Sequence, residues 1–142
     1  MAIIWGVTLA LATLAFAVAT GFDRERAFYP VITIVVATYY DLFAVMGGSM
    51  PALGAESIGT AVFAIAAVIG LRWNLWIAAA ALTMHGVFDF GHDLVITNPG
   101  VPGWWPAFCG AYDVVAGPCL AWLILSGRLP AKPEAAIRAG NG

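Results

Sequence analysis

The chain has 142 residues, of which 62% are hydrophobic and 10% charged, and its mean hydropathy is +0.90, whereas a soluble domain carries roughly 25% charged residues. So few charged side chains cannot cover a soluble domain of this length, which excludes one and predicts an all-α, polytopic integral membrane protein. The net charge of −2 and the lack of any run of Lys and Arg exclude nucleic acid as a partner, because neutralising phosphates takes clustered cations.

A bilayer-spanning helix needs roughly 20 mostly apolar residues. Five such runs follow one another, over residues 2–20, 28–48, 55–71, 75–96 and 106–126, with breaks at GFDRERAFYP, GGSMPALG, RWN and NPGVPGWWP. The first run has no Lys or Arg ahead of it and so lacks the charged start of a signal peptide. The third is the shortest. The expected organisation is one compact five-helix domain over 1–127 and a short, polar, disordered cytoplasmic tail over 128–142.

Arg24 and Arg26 follow the first run, Arg72 the third, and Arg128, Lys132 and Arg138 the fifth. All lie on one side of a five-span arrangement. The positive-inside rule then puts the N-terminus outside and the C-terminus in the cytoplasm of a cell membrane, the inner membrane in a bacterium. Trp5, Trp104 and Trp105 fall at the outer interface, and Tyr29, Trp73, Trp76 and Trp122 toward the inner one, as aromatic belts do.

Of the acids, Asp23, Glu25 and Glu134 lie among the basic residues. Asp41 in the second run, Glu56 opening the third, Asp89 and Asp93 in the fourth and Asp113 in the fifth all belong to the outer half. At a rise of about 1.5 Å per residue, Asp41, Asp89 and Asp113 each lie about 10 to 12 Å below the outer edge. In the fourth run, positions 85, 89, 92 and 96 share one helical face, with Asp93 at its margin. An ionisable side chain in hydrocarbon costs roughly 2.5 to 3.5 kcal/mol, so this group calls for an interior or water-filled cavity. Asp41, His85, Asp89, His92 and Asp113 are expected to converge there, with Glu56 and Asp93 nearer its mouth. A hydrogen-bonded structural network is the plainer alternative.

With no Lys or Arg in the outer half, the acids must keep protons, share a metal cation or bind a cationic substrate. Imidazole with carboxylate suits Zn, Fe or Mn, and His85, Asp89, His92, Asp41 and Asp113 are the candidate ligands, with no cysteine among them. In the acid–base alternative, a protonated Asp protonates an alkene, epoxide or hydroxyl while a neighbouring carboxylate or His accepts a proton. Tyr39, Tyr40 and Tyr112 flank Asp41 and Asp113 and could steady developing positive charge. Trp104 and Trp105 could floor a site mouth, capped by the loop Asn98 to Pro106.

No haem, nucleotide or flavin is expected: His85 and His92 share one helix and cannot grip opposite faces of a porphyrin, and there is no phosphate loop. Cys109 and Cys119 would lie about 15 Å apart on one helix, so both read as free packing thiols. Gly86 and Gly91 flank Asp89 and could leave room for substrate. The leading function is a membrane enzyme, an isomerase, cyclase or hydrolase, acting on an apolar lipid-like or isoprenoid-like molecule. A proton- or cation-coupled transporter and a structural or accessory subunit are the alternatives. Expected partners are membrane lipid and a small apolar substrate, with a homo-oligomer left open.

Overall fold

The computed structural model describes residues 1–133. Among the described residues are five helices, α1 (Ala2–Thr20), α2 (Phe28–Met46), α3 (Met50–Arg72), α4 (Leu75–Val95) and α5 (Trp105–Leu125), with a 3-10 turn over Phe22–Arg24 after α1. α1, α2, α3 and α5 are long and apolar enough to cross a membrane, which marks a membrane protein. α4 is long enough, at 21 residues, but His85, Asp89, His92 and Asp93 lower its apolarity.

The helix ends follow from local chemistry. Gly21 closes α1 in the left-handed conformation, with φ 85, where a side chain would be strained. Asn74 caps α4 by accepting from the Trp76 amide at 3.1 Å. The start of α3 corrects the expected boundary at residue 55. Ser49 is the cap, its hydroxyl accepting from the Ala52 amide at 3.3 Å, and Pro51 sits in the first turn. Proline is at home there, because its missing N–H would have had no intrahelical partner. Glu56 therefore lies more than a turn inside α3 and does not open it.

α1 packs on α5, α5 on α4, α4 on α3 and α3 on α2, while α2 also touches α4. Leu75, Leu82, Leu120, Leu123 and Leu129 are fully buried and fill the core toward one end. Many large apolar side chains, among them Leu9, Phe16, Val62, Ile65 and Phe90, point outward, as a lipid-covered surface requires.

The basic turns gather at a single end of the bundle. Arg26 donates to the last carbonyls of α3 at Leu71, at 3.0 Å, and also to Pro130, while Arg128 pairs with buried Asp23 at 2.7 Å. A cation on a helix C-terminus meets both orphan carbonyls and the negative end of the helix dipole. The first tail residues are packed, in contrast to the disorder expected from 128 onward. Leu129 is buried, and the Leu75 amide donates to Ala131 at 2.9 Å. Residues 134–142 of that tail lie outside the described residues.

α4 and α5 run antiparallel and touch through glycine. A Cβ on Gly86 would stand 2.7 Å from the Gly110 carbonyl oxygen and 2.8 Å from Asp113 Cβ; one on Gly110 would stand 3.0 Å from the Gly86 oxygen and 3.2 Å from Asp89 Cβ. The contact is reciprocal, so the two helices meet about a local twofold. The space beside Gly86 is thus taken by α5 and is not left for a substrate. Gly91 faces open space.

Gly86→Ala should destabilise the bundle by about 1–3 kcal/mol, because backbone must move to admit the methyl group. Gly91→Ala should be neutral or stabilising by up to about 1 kcal/mol, since alanine favours helix and nothing opposes it. Thermal unfolding in detergent distinguishes them, and equal shifts for the two variants would contradict the packing described.

Candidate functional site

At the α4–α5 crossing each helix contributes a pair of side chains four residues apart, one turn along the same face. α4 supplies His85 and Asp89, and α5 supplies Cys109 and Asp113. All four are buried, and each offers a ligating atom within 4.8 Å of the others. His85 Nδ1 donates to Asp113 Oδ2 at 2.7 Å and lies 3.7 Å from Asp89 Oδ2. The Cys109 thiol donates to Asp113 Oδ2 at 3.8 Å.

Satisfaction is incomplete. Among the described residues, neither Asp89 oxygen nor Asp113 Oδ1 has a hydrogen-bond partner, although Asp89 is only 1% exposed. The Tyr40 hydroxyl is buried beside Asp89 and likewise closes no hydrogen bond. Buried carboxyl oxygens without partners cost several kcal/mol in folding terms. The Tyr40 hydroxyl and the Cys109 thiol are the donors nearest Asp89.

His92 belongs to an adjoining group. Its Nε2 meets Glu56 Oε1 at 2.8 Å, and its Nδ1 meets Asp93 Oδ1 at 3.3 Å. The Asn98 amide donates to the same Glu56 oxygen at 2.8 Å and to the Tyr40 carbonyl at 3.1 Å. This pins the α4–α5 loop onto α2 and α3. Tyr40 stacks on His92, with ring centroids 4.1 Å apart, and so sits between the two groups. Asp93 has a side chain 77% exposed.

Asp41 departs from the expected convergence. Its carboxylate accepts from Ser57 at 2.8 Å and from Thr60 at 2.5 Å, across the seam between α2 and α3. Depth alone does not fix a residue's direction. Adjacent helical positions point about 100° apart, so Tyr40 turns into the core toward α4 while Asp41 turns to α3. Of the expected metal ligands, His85, Asp89 and Asp113 come together; Asp41 and His92 bond elsewhere, and Cys109, expected only to pack, takes a place in the group.

An apolar groove of about 460 Å³ runs between α1, α2 and α5, with Leu9 and Thr13 on one wall, Val35 and Tyr39 on the other, and Trp105 and Tyr112 along its floor. Cys109 also lines it, so one side chain belongs to both the groove and the quartet. The Tyr112 hydroxyl donates to Thr13 at 3.4 Å, and Tyr39 packs on Trp105 with centroids 4.9 Å apart. Trp104 is exposed at the loop end, next to Trp105.

The residues missed by sequence reasoning carried a signal. His85-Gly86-Val87-Phe88-Asp89 and Cys109-Gly110-Ala111-Tyr112-Asp113 share one pattern: a metal-ligating side chain, glycine, a small apolar residue, an aromatic ring and aspartate. The two copies face each other at the local twofold. No protein-family model, characterised protein or solved structure matches the chain. Its class is therefore given by fold and site, a small helical membrane protein with a buried His/Asp/Cys group.

Glu56→Ala should leave buried His92 without its acceptor and release Asn98, costing about 1–3 kcal/mol. Limited proteolysis should then cut within residues 96–104 faster than in the parent protein. An unchanged cleavage pattern would contradict the pinning role.

Proposed function

We propose that this protein is a small membrane enzyme that performs acid–base or metal-assisted chemistry on an apolar, lipid-like or isoprenoid-like substrate entering from the bilayer. The observation that carries this reading is the position of Cys109, which lines an apolar groove on one side and belongs to a buried ionisable group on the other. A lipid-like chain in the groove would rest against Tyr39, Trp105 and Tyr112. Its reacting end would then lie at the quartet.

Proton transfer is the simplest chemistry for these groups. Asp89 in protonated form donates to an alkene, epoxide or hydroxyl, and the His85–Asp113 pair removes a proton from the neighbouring carbon, giving isomerisation or cyclisation. Tyr40 and Tyr112 offer ring faces to positive charge developing between the two steps. A hydrolytic reaction would instead need water at the same groups.

A transporter fits less well. Between the quartet and the basic end, α4 and α5 bury Leu75, Ala79, Leu82, Ala116, Leu120 and Leu123, which interrupts a polar path through the bundle core. Ion translocation requires polar groups or water along its route.

We further propose that all five helices span the membrane, with the N-terminus outside, the basic end in the cytoplasm and the quartet in the outer half. In this reading α4 crosses despite its polar residues, because most of them face α2, α3 and α5. A cysteine introduced as Lys132→Cys should resist a membrane-impermeant reagent applied to intact cells and react after permeabilisation. Labelling in intact cells would reverse the orientation.

Asp89→Asn should lower turnover by at least about 100-fold, the lower range for loss of a general acid, with the fold retained. The direct assay compares the lipids of cells producing the parent and the variant by mass spectrometry. Accumulation of an unconverted apolar species with Asp89→Asn is the expected result. Identical lipid profiles, with no small molecule retained by either purified protein, would contradict the enzyme reading.

A further inference from the structure

We propose that His85, Asp89, Cys109 and Asp113 form a four-coordinate transition-metal site selective for Zn²⁺. This deepens the metal-assisted form of the enzyme reading, in which Asp89, His85 and Asp113 hold the ion in place of the proton-transfer roles given above, and rests on it for the ion's role in catalysis, though not for the ion's presence. Three observations lead to it: the spacing of the ligating atoms, the unpartnered oxygens, and the charge balance of the half-bundle around them.

A tetrahedral zinc ion has bonds of about 2.0–2.3 Å to nitrogen, oxygen and sulfur, so its ligand atoms stand about 3.4 Å apart. His85 Nδ1 to Asp113 Oδ2 is 2.7 Å, His85 Nδ1 to Asp89 Oδ2 is 3.7 Å and Cys109 Sγ to Asp113 Oδ2 is 3.8 Å. These values bracket the required edge. Both Asp89 oxygens lack partners among the described residues, in a side chain removed from solvent. A cation in the centre of the quartet supplies what they lack.

The charge argument points the same way. Arg24, Arg26, Arg72, Arg128 and Lys132, all the Lys and Arg of the described residues, lie in the turns at the opposite end of the bundle or, for Arg72, at the helix end beside them. With His85 neutral and the Cys109 thiol releasing its proton to solvent on binding, two carboxylates and one thiolate meet a divalent ion with one net negative charge. Without the ion, two buried carboxyl groups have only one imidazole between them.

The donor set selects the metal. Magnesium and calcium want all-oxygen shells. One sulfur and one nitrogen beside two oxygens suit zinc, and the thiolate shifts preference away from manganese. Pairs of ligands one helical turn apart on facing helices are how bundles build metal centres. Here the Gly86–Gly110 contact brings the two pairs within reach. Cys109 is the ligand on the groove side, and because side chains fill all four positions, a groove-bound substrate would reach the ion by displacing the Cys109 thiolate.

The test uses the purified full-length protein in detergent, equilibrated with Zn²⁺ or Co²⁺ and freed of excess metal. Elemental analysis should find one ion per chain. The cobalt form should show the intense visible bands of a tetrahedral site and a near-ultraviolet thiolate-to-cobalt band. Cys109→Ser should abolish the near-ultraviolet band. Asp89→Asn should weaken Co²⁺ binding by at least about 100-fold, since losing a ligand costs no less than losing its outer-shell support.

Metal well below one per chain in the parent protein would overturn the proposal. So would a thiolate band that survives Cys109→Ser, which places the ion elsewhere. Should Asp89→Asn fail to fold, the spectrum of Cys109→Ser still decides. Lipid turnover by metal-free protein would remove the ion's catalytic role and leave the enzyme reading. Stoichiometric zinc without any turnover would do the reverse.

Discussion

The contact between Gly86 and Gly110 sets the position of the buried quartet in this protein. With no side chain on either residue, α4 and α5 approach until backbone meets backbone, and the residues just before and three after each glycine are driven together. Those residues are His85 and Asp89 on one helix and Cys109 and Asp113 on the other. In an apolar medium, close packing and interhelical hydrogen bonds hold helices together, because burial from lipid into protein brings little hydrophobic gain. The same glycine contact therefore supports the bundle and assembles the site.

Around that crossing the molecule divides into unlike halves. Toward the basic end, buried leucines fill the core, and Arg26 and Arg128 tie the turns after α1, α3 and α5 to one another. Toward the other end, Tyr40 is sandwiched between the quartet and the Glu56–His92 pair, and Asn98 fastens the loop over them. The polar half places ionisable groups beside a largely apolar groove.

Much of the helix layout was legible in the sequence, because long apolar runs broken by Gly, Pro and charge leave little choice of element. The start of α3 was not, since Pro51 looks like a break until Ser49 is recognised as the cap that puts it in the first turn. That single shift moves Glu56 from a helix mouth into contact with His92. The stripe on α4 identified His85, Asp89 and His92 as sharing a face, yet only the positions of α3 and α5 divide them between two groups. Depth placed Asp41 level with Asp89, but its direction around α2 depends on packing that hydropathy does not encode. Taken alone in an apolar run, Cys109 reads as a packing residue. Paired with Asp113 four residues later, and with Gly110 between them, it repeats the pattern of His85, Gly86 and Asp89.

The central claim is that the buried quartet communicates with the bilayer through the groove between α1, α2 and α5. A fatty acid carrying a photoreactive diazirine, incorporated into vesicles with the protein and irradiated, tests this directly when the crosslinks are mapped by mass spectrometry. The account predicts crosslinks at Cys109 and Tyr112, which are buried in the bundle and line the groove, in addition to those on outward residues such as Phe16 and Ile65. Crosslinks confined to the outward residues, with none at Cys109 or Tyr112, would contradict it.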